Sequence, residues 1–309
     1  MKKSLVLGAT GGMGYSIVRE LSARGMEVIA FARTKKRLHE MFDGDPNVVW
    51  KSGDVFNQYE LEEIAQNVDI IYHAINIPYG DWKEKLIPLN QNIINTAKNA
   101  SAKLAVVDNI YSYGRSNGKK ITENTPKNPN TKKGKLRLEM INLIQQSGVP
   151  YFIAHFPDFY GPYAENAQIN YTLRDIVNGK KARFIGKQDL LREHIYTPDG
   201  AKAIVELSLH EVAYGQSWNI PAYDVITGDE IIKLVRDVTG YNKPVGTVTK
   251  NMLRLVGLFD KQMREFVEMQ YLNEEPVVLD GQKYEQFIGK VPKTPYQEGL
   301  KKTLEVYKV

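Results

Sequence analysis

Short apolar runs alternate with amphipathic stretches through the first half of the chain. Leu5-Val6-Leu7, Met26 to Ala32, Asn47 to Trp50, Asp69 to Tyr72, Leu104 to Val107 and Val149 to Phe156 read as buried strands. Between them, residues 14–24, 57–67, 84–100 and 135–147 place apolar side chains at helical spacing. Strands that are apolar on both faces and separated by helices predict an α/β fold with a doubly wound parallel sheet covered on both sides. Beyond about residue 157 the rhythm changes, with Gly161-Pro162 and Thr197-Pro198-Asp199 punctuating irregular stretches. A late strand is predicted from Trp218 to Pro221, and amphipathic helices over 228–239 and 295–308. Residues 115–134 are polar with Pro and Gly, so they read as an exposed loop with solvated lysines.

Composition narrows the function classes. The 309 residues include no Cys, which excludes a disulfide framework, a thiolate zinc site and a cysteine nucleophile. The five histidines show no metal-ligand spacing, so no metal is expected. Lys+Arg 41 against Asp+Glu 36 is a mild excess, and few aromatics interleave the basic 115–137 stretch, so nucleic acid is not an expected partner. No apolar run approaches the ~18 residues of a membrane span. The apolar stretch after Lys2-Lys3 stops at glycines, too short for a signal peptide core. A cytoplasmic protein acting on a small molecule is expected.

GATGGMG places Gly8, Gly11 and Gly14 between the first strand and first helix, with Thr10, Gly12 and Met13 completing the turn. Glycines let the backbone approach a pyrophosphate, and a helix N-terminus offers it free N–H groups. The plain alternative is a tight turn without ligand. The second strand ends in Phe31-Ala32-Arg33 rather than in an acid, which suits a 2′-phosphate and favours NADP over NAD. The alternative for Arg33 is a solvated helix start.

With these motifs the chain resembles the extended short-chain dehydrogenase/reductase family, which includes nucleotide-sugar epimerases and dehydratases. Gly53-Asp54-Val55, His73-Ala74-Ile75-Asn76, Asn90, Tyr113-Gly114, Phe156-Pro157 and Tyr160-Gly161-Pro162 carry the resemblance, as do His194 to Ala201 and the tail from Leu279 to Tyr307. It implies a Rossmann-type domain over 1–160 plus about 193–221, and a smaller C-terminal substrate domain over about 161–192 and 222–309. It also implies that Asp54, Val55, Ala74, Ile75, Asn76, Phe156 and Pro157 contact the cofactor. Homodimerisation through helices 84–100 and 135–147 is a further implication.

Enzymes of that family use a Tyr and a Lys four residues later, with a Ser or Thr near the end of the fifth strand. Lys135 falls at the lysine's place, where it would also bond the nicotinamide ribose, but Thr131 stands where the Tyr would be. No Tyr lies between Tyr113 and Tyr151, and Asn109, preceded by Asp108, replaces the Ser or Thr. A threonine hydroxyl is too weakly acidic to shuttle a proton. Tyr111 or Tyr113 is therefore a candidate phenol, Asn109 a candidate holder of a carbonyl oxygen, and Asp108 an acid or base if its pKa is raised. His73 and His155 read as structural. Tyr79 and Trp82 line a pocket or merely cover the cleft, and Phe159, Tyr163, Asn166, Asn170, Tyr171, Arg174 and Arg183 are candidate wall residues. The expectation is an NADP-dependent oxidoreductase or epimerase-like enzyme without the usual Tyr. The alternative is a non-catalytic NADP-binding sensor or regulator.

Overall fold

Leu5 and Leu7 enter one hydrophobic core and Val6 another, because successive strand residues point to opposite faces of a sheet. That alternation organises residues 3–307, the part of the chain described in this computed structural model. The first half runs β1 (Lys3–Leu7), α1 (Gly12–Ala23), β2 (Glu27–Ala32), α2 (Lys35–Phe42), β3 (Val48–Ser52), α3 (Gln58–Ile64), β4 (Ile70–His73), α4 (Trp82–Asn99), β5 (Lys103–Asn109), α5 (Lys132–Gln145) and β6 (Tyr151–Phe156). The second half adds β7 (Asp158–Tyr160), α6 (Gln168–Val177), β8 (Arg183–Ile185), β9 (Arg192–Tyr196), α7 (Thr197–Ser208), β10 (Gln216–Asn219), β11 (Val225–Ile226) and α8 (Gly228–Thr239). It closes with β12 (Gly246–Val248), α9 (Lys250–Val256), α10 (Lys261–Val267), α11 (Gln282–Phe287) and α12 (Tyr296–Glu305).

The main sheet has seven strands in the order β10-β6-β5-β4-β1-β2-β3. Every neighbouring pair in it is parallel. Helices α1, α2 and α7 contribute Ile17, Phe42 and Ile204 to the core on one face. On the other face α3, α4 and α5 contribute Leu61, Ile93 and Ile141. This is the doubly wound α/β arrangement that the sequence predicts. The chain reverses direction across the sheet between β1 and β4, opening a crevice at their carboxyl ends. A third core joins α6, α8 and α12 through Leu173, Val235 and Leu300.

Two expectations need correction. The loop expected through residue 134 ends at Thr131, whose hydroxyl accepts the Gly134 N–H at 3.0 Å and so starts α5 three residues early. The stretch expected to be irregular after 157 contains α6, α9 and α10. Helices α9 and α10 span seven residues each, too few to show a clear period.

Candidate active site

The crevice between β1 and β4 is shaped by glycine. Gly8 has φ of 83°, and a Cβ there would lie 2.8 Å from the Ala74 carbonyl oxygen. A Cβ on Gly14 would fall 2.1 Å from the Gly8 oxygen, so α1 rests directly on the turn. Gly11 is the N-cap of α1 and supplies no side-chain cap, which leaves the first-turn N–H groups of Gly12 and Met13 without intrahelical acceptors. Free N–H groups at the positive end of a helix, in a cradle that tolerates no Cβ, suit a pyrophosphate.

The remaining expected cofactor positions gather along the same carboxyl edge. Thr10, Ala74 and Ile75 are half-buried, Asn76 is exposed, and Val55, Phe156 and Pro157 are buried. Asp54 is exposed and accepts the Phe56 N–H at 3.0 Å, which orders the turn after β3. Arg33 is exposed and has no ion-pair partner among the described residues. A strap after β7 lies against this site. Tyr163, at φ of 57°, packs edge-on to Tyr15 with ring centroids 4.5 Å apart. Ala164 sits against Gly12, where a Cβ would approach to 2.7 Å, and Glu165 takes both Arg37 nitrogens at 2.8 and 3.2 Å.

Helix α5 changes the assignment of the reactive groups. Its inward face runs through Lys133, Arg137, Met140, Ile141 and Ile144, while Lys135 is exposed. The buried pair four residues apart on α5 is Lys133 and Arg137, and Lys135 is open to solvent. The apolar residues 140, 141 and 144 already marked that face, and counting back by helical turns from them reaches 137 and 133. Thr131 is a helix cap and not a reactive hydroxyl.

Arg137 is buried among charges. Its Nη1 lies 3.3 Å from Asp108, its guanidinium covers the Trp82 ring at 4.4 Å, and His155 Nδ1 lies 3.3 Å from the other Asp108 oxygen. Burial alone would raise the Asp108 carboxyl, but Arg137 and His155 outweigh it and hold the pKa below its ordinary value. This overturns the expectation of a raised Asp108. His73 is pushed down to about 4 by burial and by Arg137, so it stays neutral, as its structural reading requires. Asn109 spends its Oδ1 on the Tyr111 N–H at 3.0 Å. Tyr113 is buried and donates to Asn219 Oδ1 at 3.1 Å.

The phenols of Tyr79 and Tyr111 meet at 2.7 Å. Burial pushes Tyr79 up to about 12, and Tyr111, with Tyr79 and Asp158 nearby, goes well above its ordinary value. Both stay protonated at neutral pH. Trp82 is core, with its indole N–H donated to the Ile77 oxygen, so it covers the cleft rather than lining it. A lid formed by α10 and the turn Glu268–Asn273 closes over this group. Phe266 stacks on Tyr79 with centroids 6.1 Å apart, Gln262 accepts the Gly80 N–H, and Lys133 pairs with Glu265 and Glu268.

Next to the lid lies a cavity of about 10 Å³, room for a single water. Ile110, Pro157, Asp158, Arg192, Glu193, Leu272, Pro276 and Val277 line it. Arg192 pairs with Asp158. Burial pushes the Glu193 carboxyl up to about 7, offset only in part by the N–H groups of Leu279 and Ala222 and by the exposed Lys120 and Lys293. None of the seven expected wall residues lines this cavity. Asn170, for example, is buried and bonded to the Gly161 oxygen and the Tyr307 hydroxyl. The signal for Arg192 and Glu193 was a charged pair inside the otherwise apolar run LLREHIY.

A seven-stranded parallel sheet with a glycine cradle at its switch point defines a Rossmann-type nucleotide-binding protein. Solved structures of this shape include dTDP-glucose 4,6-dehydratase from Bacillus anthracis in complex with NAD, at 19% identity and TM-score 0.81, covering 99% of this chain and 96% of that one. UDP-glucuronic acid 4-epimerase from Bacillus cereus in complex with NAD matches at 16% identity and TM-score 0.82, covering 99% and 98%. UDP-glucose 4-epimerase from Thermotoga maritima with UDP-glucose matches at 17% identity and TM-score 0.79, covering 99% and 98%. Comparison with curated proteins gave no match. The chain belongs to the NAD dependent epimerase/dehydratase family, whose match spans residues 4–220.

Proposed function

We propose that the protein is an NADP(H)-dependent oxidoreductase that reduces a carbonyl compound. The observation that carries this reading is the inward face of α5, which presents Lys133 and Arg137 and no tyrosine, opposite two phenols that stay protonated. Starting from a sugar hydroxyl requires a base, and the phenols of Tyr79 and Tyr111 stay protonated at neutral pH. Ending at a hydroxyl requires a donor, and Tyr111 is one. When bound, the reduced nicotinamide supplies a hydride to the carbonyl carbon and leaves oxidised. Tyr111 would then give its proton to the developing alkoxide, the Tyr79 hydroxyl bonded to it would pass its own proton to Tyr111, and solvent water would reprotonate Tyr79. An alkoxide is a stronger base than a phenolate, so the transfer runs downhill. Lys135, open to solvent on α5, keeps the role of bonding the nicotinamide ribose, while Arg137 is held by Asp108 and Trp82.

The unpaired Arg33 supports NADP over NAD. Calorimetry is expected to show at least a tenfold preference, worth ~1.4 kcal/mol, and Arg33→Asp is expected to reverse it. Equal affinities would overturn the NADP assignment. A second reading, a cofactor-binding regulator, draws on the Glu265 and Glu268 carboxylates that hold Lys133 under the lid. Consumption of NADPH with a panel of carbonyl compounds separates the two. Turnover that survives Tyr111→Phe would remove that phenol from the mechanism.

A further inference from the structure

We propose that the hairpin of α9 and α10 docks the protein on a membrane surface rich in anionic phospholipids. The proposal goes beyond the oxidoreductase reading and does not depend on it.

Met252, Leu255, Val256, Leu258 and Phe259 are all exposed, five large apolar side chains within eight positions. Phe259 keeps 91% of its surface open, Leu258 69% and Leu255 65%. Scattered exposed apolar residues are ordinary, but a run of this density is a patch. The patch is held out by a fixed hairpin. Leu253 and Phe266 anchor its two helices in the core. A Cβ on Gly257 would lie 2.9 Å from Cα of Arg264, so the helices meet backbone to backbone. The N–H groups of Phe259 and Asp260 both donate to the Val256 carbonyl at 3.0 Å, which sets the turn. Folding leaves the five outer side chains bare.

Charge names the partner. From Lys250 to Arg264 there are four cations and one acid, Asp260. Asp260 accepts the Met263 N–H at 3.1 Å as the cap of α10, and Lys250 holds Glu274 at 2.8 Å. The next carboxylate along the chain, Glu265, is held by Lys133. Arg254, Lys261 and Arg264 are exposed and have no ion-pair partner among the described residues. Apolar tips flanked by open cations match a bilayer interface, where the acyl boundary takes the tips and the phosphate headgroups take the cations. A second copy fits worse, because a two-fold contact through this patch would face its cations with their own counterparts. The near-complete exposure of Phe259 also favours a fluid partner, which closes around a projecting ring without a matching pocket. Among the described residues no helix is long and apolar enough to cross a membrane, so the docking proposed is peripheral.

The test is co-sedimentation of the full chain with lipid vesicles. Phosphatidylcholine vesicles with about 30 mol% phosphatidylglycerol are expected to bind at least tenfold more tightly than pure phosphatidylcholine. Raising the salt to about 1 M is expected to release most of the protein. No binding to the anionic vesicles, or equal binding to both kinds, overturns the proposal. The double variant Leu258→Ser with Phe259→Ser, checked for folding by thermal unfolding, is expected to lose at least tenfold in affinity for the anionic vesicles. Full binding by the folded variant would trace attachment to the overall positive charge and overturn the hairpin as the site. Phe259→Trp gives a readout that does not depend on that variant folding. Its emission is expected to shift to the blue on anionic vesicles, and an unchanged spectrum from vesicle-bound protein overturns insertion of the tip. Sedimentation equilibrium without lipid tests the remaining occupant. A dimer that the double variant splits into folded monomers assigns the patch to a second copy and overturns the proposal.

Discussion

Asp108 ends up with a guanidinium and an imidazole each 3.3 Å from one of its oxygens, in a place where an unpaired charge is costly. Asp108→Asn is expected to cost about 3 to 5 kcal/mol in denaturant unfolding, because Arg137 would remain charged and buried. Asp108→Asn combined with Arg137→Met is expected to cost less than the sum of the two single changes. A loss under about 1 kcal/mol for Asp108→Asn would show that Arg137 is neutralised otherwise. Glu193 behaves in the opposite sense. Its folded pKa of about 7 lies above the ordinary 4.5, so the native state binds the proton more tightly and stability falls as pH rises between those values. Glu193→Gln is expected to remove that fall, gaining on the order of 3 kcal/mol over wild type above pH 8. Equal unfolding curves for the two at pH 8 would contradict it. The sequence placed Lys135, Asn109 and Tyr111 in one neighbourhood but not their directions. Lys135 is open to solvent while the buried face of its helix runs through residues 133, 137, 140, 141 and 144.

Helix α5 begins where it does because Thr131 caps it. Thr131→Val is expected to cost about 1 kcal/mol of stability in thermal unfolding while leaving turnover close to wild type. A loss of turnover with stability intact would return that hydroxyl to the chemistry. At this scale the sequence was most readable where elements are apolar on both faces. The six early strands, and α8 at 228–239, appear where the pattern puts them. It was least readable where helices are short and polar. No helical window covers the octet from Lys35 to Phe42, which reads only as a solvated helix start after Arg33, yet it buries Leu38, Met41 and Phe42 as α2. The lid helix α10 buries only Phe266, and one apolar side chain makes no period.

Across the whole molecule, the doubly wound parallel sheet and the glycine turn between its first strand and first helix were legible because short apolar runs and local turns carry them. The pairing of distant charges was not. Arg115 and Glu275 are separated by 160 residues, and Lys133 and Glu265 by 132, so only the folded chain shows that they cancel. One of these long-range contacts also gives the molecule a built-in recorder. The carboxylate of Glu268, carried by the lid, accepts the N–H groups of Lys132 and Lys133 at 3.0 and 3.1 Å. These are first-turn amides with no intrahelical acceptor, so that carboxylate is their hydrogen-bond partner. A lifting of the lid would hand both amides to water, and their hydrogen-exchange rate is expected to report such openings. Glu268→Ala is expected to bring both amides to near-unprotected exchange while Met140 and Ile141, deeper in the same helix, keep theirs. Slow exchange at Lys132 and Lys133 in that variant would mean that something other than the lid holds them. With the wild type, a ligand that binds under the lid is expected to slow the exchange of both amides in proportion to its occupancy.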